Sequence, residues 1–225
     1  MPVVSASPYS AAIACLPPGA TLRADGVSWE DYAQLLADTA HNSHARIFYD
    51  RGKLEIMSPA SRHERAKGLL GSFVRVIRDE LEIEIESIGS TTIHEQVKQS
   101  GAEPDDSFYV GRIDHILGDR DLDFTRDPPP DLIIEIDHSS GSLNKFPLYA
   151  RLGVAELWRV VKLRVQIHLL REGRYARVEQ SALFPFLSAA VLTDFLRQGM
   201  EQGEGRAARD FRLWLRENAL NIEQA

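Results

Sequence analysis

The chain has one cysteine, Cys15, in 225 residues, so no disulfide can close within it, and a reducing cytoplasm is the expected setting. No Cys/His tract offers four soft ligands, which excludes a structural zinc site. The nearest approach, His41 and His44, has no partnering cysteine. No window reaches the ~18 apolar residues that a membrane span requires, and no basic region precedes the short apolar stretch at 11–16. A soluble, cytoplasmic protein with no membrane association is expected. Internal repeats and low-complexity tracts are lacking too. Positive charge is in deficit, with 26 Lys and Arg against 33 Asp and Glu and a formal net charge of -7. Such a surface is not built mainly to coat nucleic acid, because phosphate contacts depend on Lys and Arg releasing counterions. Acting on nucleic acid would require a local basic surface, with bound metal, around an acidic site.

What is present suits one folded unit. A hydrophobic content of 44% can bury a substantial core, and the length favours one domain. Residues 1–20 are small, apolar and proline-containing without periodicity, which predicts a flexible lead-in; residues 21–225 are expected to form one mixed α/β domain ending in helices. Ser28 and Asp31 form a capping-box variant ahead of Trp29, Tyr32, Leu35 and Leu36 at helical spacing. Arg46–Asp50 and Lys53–Met57 flank Arg51-Gly52 as a hairpin. Ser61 and Glu64 give an S-x-x-E start to the longest helix, whose face carries Ala66, Leu69, Leu70, Phe73, Ile77 and Leu81.

Further along, alternation at 83–86 predicts a strand with one solvated side. Segments 91–98 and Asp106–Val110 read as a strand pair about a Ser100-Gly101 turn. A polar, proline-closed loop spans 112–130, and 131–137 is short enough for a central strand. Helical periodicity resumes at 143–152, with Pro147 near enough to the start to be tolerated. An antiparallel set at 156–161, 165–170 and 174–178 follows. Two helices at 188–198 and 206–218, separated by Gly203-Glu204-Gly205, complete the chain.

The chemistry concentrates in two acidic segments. Strand side chains alternate faces, so Asp131, Ile133, Glu135 and Asp137 share one side while Leu132, Ile134 and Ile136 share the other. Burying Glu135 among Ile and Leu costs several kcal/mol unless a cation or hydrogen-bond donors compensate. A divalent metal is one such partner; a Lys or Arg on a neighbouring element is another. Glu103-Pro104-Asp105-Asp106 is the second source. Pro104 suits the opening of a strand, which leaves Asp105 at the sheet edge. Adjacent residues face opposite ways, so only one of Asp105 and Asp106 can readily join Glu135. Phosphodiester hydrolysis also needs positive charge near the attacking water, and Lys145, eight residues beyond the strand, is the candidate.

Three segments, 103–109 (EPDDSFY), 130–136 (PDLIIEI) and 145–158 (KFPLYARLGVAELW), together resemble the Uma-two family of inferred restriction endonucleases. The likeness covers roughly 28–190 and includes His63, where that family often places a histidine. The family belongs to the PD-(D/E)xK nuclease superfamily. The resemblance therefore implies a restriction-endonuclease-like mixed β-sheet flanked by helices and Mg²⁺-dependent cleavage of DNA by one or two ions, with Mn²⁺ as a substitute. Asp105 and Glu135 would ligate metal and Lys145 would supply the lysine. In the wider superfamily that lysine stands two residues after the acid, a position held here by Asp137. Asp137 is then a ligand through water or, preferred here, an ion-pair partner of Lys145. His63 and Glu64 are accessory candidates at the opening of the long helix, Glu64 also serving as the capping acid, and Asp106 is a further one. Tyr149 and Trp158 are expected to pack in the core. Relatives are often dimers, which suggests a homodimer. Two alternatives stay open: a nuclease-like module that binds DNA or protein without cutting, and a metal-independent hydrolase using the paired acids.

Overall fold

The computed structural model describes residues 7–39, 45–111, 113–118, 121–137 and 144–219. His41 and His44 lie outside the described residues. Among those described, the strands form two sheets. The first has five, β1 (Thr21–Asp25), β2 (Arg46–Asp50), β3 (Lys53–Met57), β5 (Ile93–Glu95) and β6 (Ser100–Ala102), in the order β1-β3-β2-β6-β5 with antiparallel pairing throughout. The second has six, β4 (Ile85–Ser87), β7 (Asp106–Val110), β8 (Leu132–Asp137), β9 (Glu156–Val161), β10 (Arg164–Arg171) and β11 (Arg174–Val178), in the order β11-β10-β9-β8-β7-β4. Only the β8–β9 pair in it is parallel. The fold is thus a mixed α/β one with a mixed principal sheet.

Helices complete a layered arrangement. α2 (Trp29–Thr39) starts at Ser28, whose hydroxyl donates to Asp31 Oδ2 (2.7 Å) while Asp31 N–H donates to Ser28 Oγ (3.0 Å). Its Trp29, Tyr32 and Leu35 pack on Ile47, Tyr49, Leu54 and Ile56, one face of the five-stranded sheet. Against the same cluster sit Tyr9, Ile13 and Leu16, which flank or belong to the short helix α1 (Ser10–Ala14); Ser7 N–H donates to Asp38 Oδ2 (2.6 Å). α3 (Ser61–Leu81), α5 (Ala189–Gln202) and α6 (Glu204–Asn218) cover one face of the six-stranded sheet, burying Leu132, Ile134 and Ile136 with Phe73, Leu196 and Phe211. The opposite face of that sheet, with Ile133 and Leu157, meets α4 (Lys145–Leu152) and then Phe48, Ile93 and Ala102 of the first sheet. A single apolar cluster therefore ties both sheets to α4, and each fully buried Ile, Leu or Phe in it contributes about 1.5–3 kcal/mol.

Two expectations need correction. Segment 91–98 does not pair with Asp106–Val110: β5 turns back on β6 in the five-stranded sheet, and β7 joins the other sheet between β4 and β8. Ser100-Gly101 is strand, not turn. A Cβ on Gly101 would overlap the Tyr32 hydroxyl, so glycine is there to admit that ring. The S-x-x-E signal also misleads. Ser61 is the first helical residue, the cap position is Ala60 without a side-chain cap bond, and Glu64 is not a capping acid.

Candidate active site

The site grows out of two crossings of the chain. At the first, Glu103-Pro104-Asp105 carries the backbone from β6 in one sheet to β7 in the other. Asp105 is wholly buried there, and Ile136 N–H of β8 donates to its Oδ2 (2.7 Å). The second crossing is the β8–α4–β9 unit. A parallel pair needs a connection that returns to the starting edge of the sheet, here through a helix. The first turn of α4 consequently lies beside the last residues of β8, where Asn144 Oδ1 accepts from Phe146 N–H (3.3 Å) and caps the helix.

That return delivers two donors to one carboxylate. Lys145 and Tyr149 are four apart on α4 and so share a helix face. The Lys145 ammonium donates to Glu135 Oε2 (2.5 Å) and the Tyr149 hydroxyl to Glu135 Oε1. Glu135 is 2% exposed. The Lys145 ammonium also lies 3.7 Å from the centroid of the Phe48 ring, a cation–π contact from the other sheet. On Asp105, His63 Nε2 of α3 stands 2.7 Å from Oδ1 and Arg46 Nε of β2 stands 3.9 Å from it. The structure thus brings Asp105, Glu135, Lys145 and His63 to one buried locus.

Burial and mutual charge set the protonation of the two acids against each other. Burial raises Asp105, but the bond and charge of His63, the charge of Lys145 and the Ile136 N–H together hold it below the usual aspartate value. Glu135 is pushed up to about 7, mainly by burial and further by Asp105, despite the opposing pull of Lys145 and Tyr149. Burial disfavours the Lys145 cation, yet Glu135, Asp105 and Asp137 raise it above its usual value. Desolvation and the neighbouring Glu135 raise Tyr149 strongly, keeping it a hydroxyl donor.

The remaining candidates are elsewhere or differently engaged. Asp137 pairs directly with Arg159, whose Nη2 and Nε lie 2.6 and 2.7 Å from its Oδ2, and acts on Lys145 through its charge. The parallel register sets Arg159 of β9 opposite Glu135 and so within reach of Asp137 at the strand end. Asp106 faces away, towards α3. Its Oδ1 accepts from Ser87 Oγ (3.3 Å), and a Cβ on Gly71 would meet its Oδ2 at 2.9 Å. Glu64 keeps 46% of its side chain exposed, 3.8 Å from both Arg46 and Lys67. Sequence reasoning missed Glu55 of β3, which is buried and ion-paired across strands to Arg23 (2.8 Å). Its isolated position in an alternating strand gave no signal. Tyr149, expected only as core, contributes its hydroxyl to the site as well as its ring to the cluster.

A cavity of about 230 Å³ opens onto this locus, with Glu55, Arg62, His63, Asp137 and Lys145 among its walls. A neighbouring cavity of about 250 Å³ shares Arg62, Ile136 and Asp137 and adds Lys162. Cations therefore border the acidic locus. The donors suit a small, hard, partly hydrated cation: two buried carboxylates without thiolate, near enough to each other for Asp105 to act on Glu135. Among the described residues no group of three or more His, Cys, Asp and Glu could enclose a metal, so water or substrate oxygens would complete its shell.

A mixed sheet flanked by helices is the restriction-endonuclease-like architecture. The chain belongs to the Uma2 family, described as "Putative restriction endonuclease", which matches residues 29–218. Among solved structures, "a putative nuclease belonging to DUF820" from Anabaena variabilis ATCC 29413 is 17% identical, covers 67% of this chain and 90% of its own, and superposes with a TM-score of 0.49. No curated protein matches the chain. No helix among the described residues is long and apolar enough to cross a membrane.

Proposed function

We propose that the protein is a divalent-cation-dependent endonuclease that hydrolyses DNA phosphodiester bonds, with Asp105 and Glu135 as the metal ligands and Lys145 as the accompanying cation. The observation that carries this reading is that Asp105, in the segment just ahead of β7, is bonded to the β8 backbone next to Glu135, and that both acids act on one lysine. Mg²⁺ is the preferred ion, with Mn²⁺ as a substitute. When bound, the ion would polarise a phosphate oxygen and lower the pKa of a coordinated water.

The chain's own residues prepare that chemistry. Asp105 stays ionised under the influence of His63, Lys145 and the Ile136 N–H. Glu135 gives up its proton as the pH passes about 7, so activity should rise through neutrality. Lys145 lines the cavity and offers its charge to a phosphate oxygen as negative charge builds there. Arg62 and Lys162, along the adjoining cavity, supply positive charge for the flanking backbone.

A second reading, a DNA-binding module without cleavage, draws on the engagement of both Glu135 oxygens by Lys145 and Tyr149. Plasmid cleavage with millimolar Mg²⁺, with and without chelator, decides between them. Cleavage that vanishes with chelator and in Asp105→Asn and Glu135→Gln supports the nuclease. Binding without cleavage supports the module, and cleavage undiminished in chelator or in both variants overturns the metal assignment.

A further inference from the structure

α4 has a second side. The residues flanking Lys145, Asn144 and Phe146, line a separate cavity of about 520 Å³ together with Arg51, Arg151, Arg174 and Tyr175. Three arginines and no carboxylate line it, in a chain whose formal charge is -7. Arg151 is partly neutralised, since its Nη2 pairs with Asp50 and its Nε donates to Ser100 Oγ (3.2 Å). Arg51 and Arg174 are exposed, and neither has an acidic partner among the described residues.

Both are held by tight turns from different sheets. Arg51 sits in the β2–β3 turn with φ +48°, and its N–H donates to Gln99 O (3.0 Å). Arg174 opens β11 after Gly173, whose φ of +75° closes the β10–β11 hairpin. Between the two turns the Phe146 ring lies 5.6 Å from that of Tyr175 and 4.7 Å from that of His168. Two arginines without acidic partners lining a cavity walled by aromatic rings suit a phosphodiester backbone, whose phosphates the cations contact while its sugars pack against the rings.

The two cavities are linked through Phe146. Arg159, paired to Asp137 at the first, lies 5.4 Å from the Phe146 ring at the second. An eight-residue helix such as α4 is about 12 Å long, and a strand carries one phosphate per ~3.4 Å. About three phosphates would therefore run the length of α4.

We infer that the Arg51–Arg174–Phe146 cavity holds the backbone of the DNA strand a few nucleotides from the bond cleaved at Lys145, an inference that rests on the nuclease reading above. Its test separates the two. The full chain binds a fluorescent 20-base-pair duplex in chelator across a salt series, as the parent and as Arg51→Ala/Arg174→Ala. Hydrolysis of bis(4-nitrophenyl) phosphate, too small to reach the second cavity, is measured with Mg²⁺ in parallel. The variant should bind more weakly, its log–log salt slope should flatten by about 1.8, at ~0.9 for each phosphate no longer neutralised, and its small-ester hydrolysis should match the parent's. Phe146→Ala should weaken binding and leave the slope unchanged. Unaltered affinity and slope in the arginine variant, or no duplex binding by the parent, would overturn the inference. Arginine-dependent duplex binding by a parent that cleaves nothing would uphold the cavity and defeat the nuclease reading instead.

Discussion

Replacing Lys145 with methionine keeps much of the side-chain volume and removes the ammonium that bonds Glu135 and overlies Phe48. Breaking a buried pair by removing one member costs about 3–5 kcal/mol, because a charge is left unpaired. Here the penalty depends on pH. The Glu135 carboxyl stands at about 7 in the folded protein against a reference of 4.5. A carboxyl raised on folding contributes stability that is fully present below the unfolded value and is lost as pH rises through the folded one. At ~1.4 kcal/mol per pKa unit, this group alone removes about 3 kcal/mol between those limits. Without Lys145, Glu135 loses its strongest attraction and holds its proton to higher pH. Lys145→Met should therefore be destabilised by about 3 kcal/mol at pH 8.5, where the parent carries the ion pair, and by about 1 kcal/mol or less at pH 5, where a proton substitutes for the ammonium. Urea unfolding at the two pH values measures both. A penalty that is equal at both, or larger in acid, would refute the reasoning.

Tyr149→Phe removes a hydroxyl bonded to a buried carboxylate and should cost about 1.5–3 kcal/mol; with that donor gone, the Glu135 titration measured by NMR should move above 7. Gly101→Ala forces a methyl against the Tyr32 hydroxyl and should destabilise by about 1–3 kcal/mol through overpacking, read as a lower urea midpoint. Because one apolar cluster joins both sheets to α4, the chain should unfold in one calorimetric transition; two separate transitions would contradict a single domain.

Much of the site was legible because strand alternation is a local rule. Ile133 and Glu135 face α4 while Leu132, Ile134 and Ile136 face the helical layer, as the period of two requires. Asp105 and Lys145 stood out only once the family resemblance was added, because an acid after Pro104 and a lysine opening a helix are ordinary turn and surface chemistry by themselves. What escaped depends on non-local geometry. The partner of Asp137 is set by the parallel register of β8 and β9, which no spacing within 131–137 encodes. The place of β6 in the five-stranded sheet is set by its pairing with β2, about fifty residues earlier in sequence, which no spacing within 91–110 encodes. Glu64 matched a capping pattern, but the helix begins one residue earlier than that pattern assumes, and the side chain turned to Arg46 and Lys67 instead. Glu55 entered the cavity wall because β3 pairs with β1, bringing Arg23 beside it.

The most direct measurement is Mn²⁺ binding followed by electron paramagnetic resonance, in the parent, Asp105→Asn and Glu135→Gln, at pH 8 without DNA. One or two ions bound at millimolar or lower concentration by the parent, and lost in each variant with its circular dichroism unchanged, is the expected result. Equal binding in all three proteins, or none in the parent, would contradict a metal centre built on these two carboxylates.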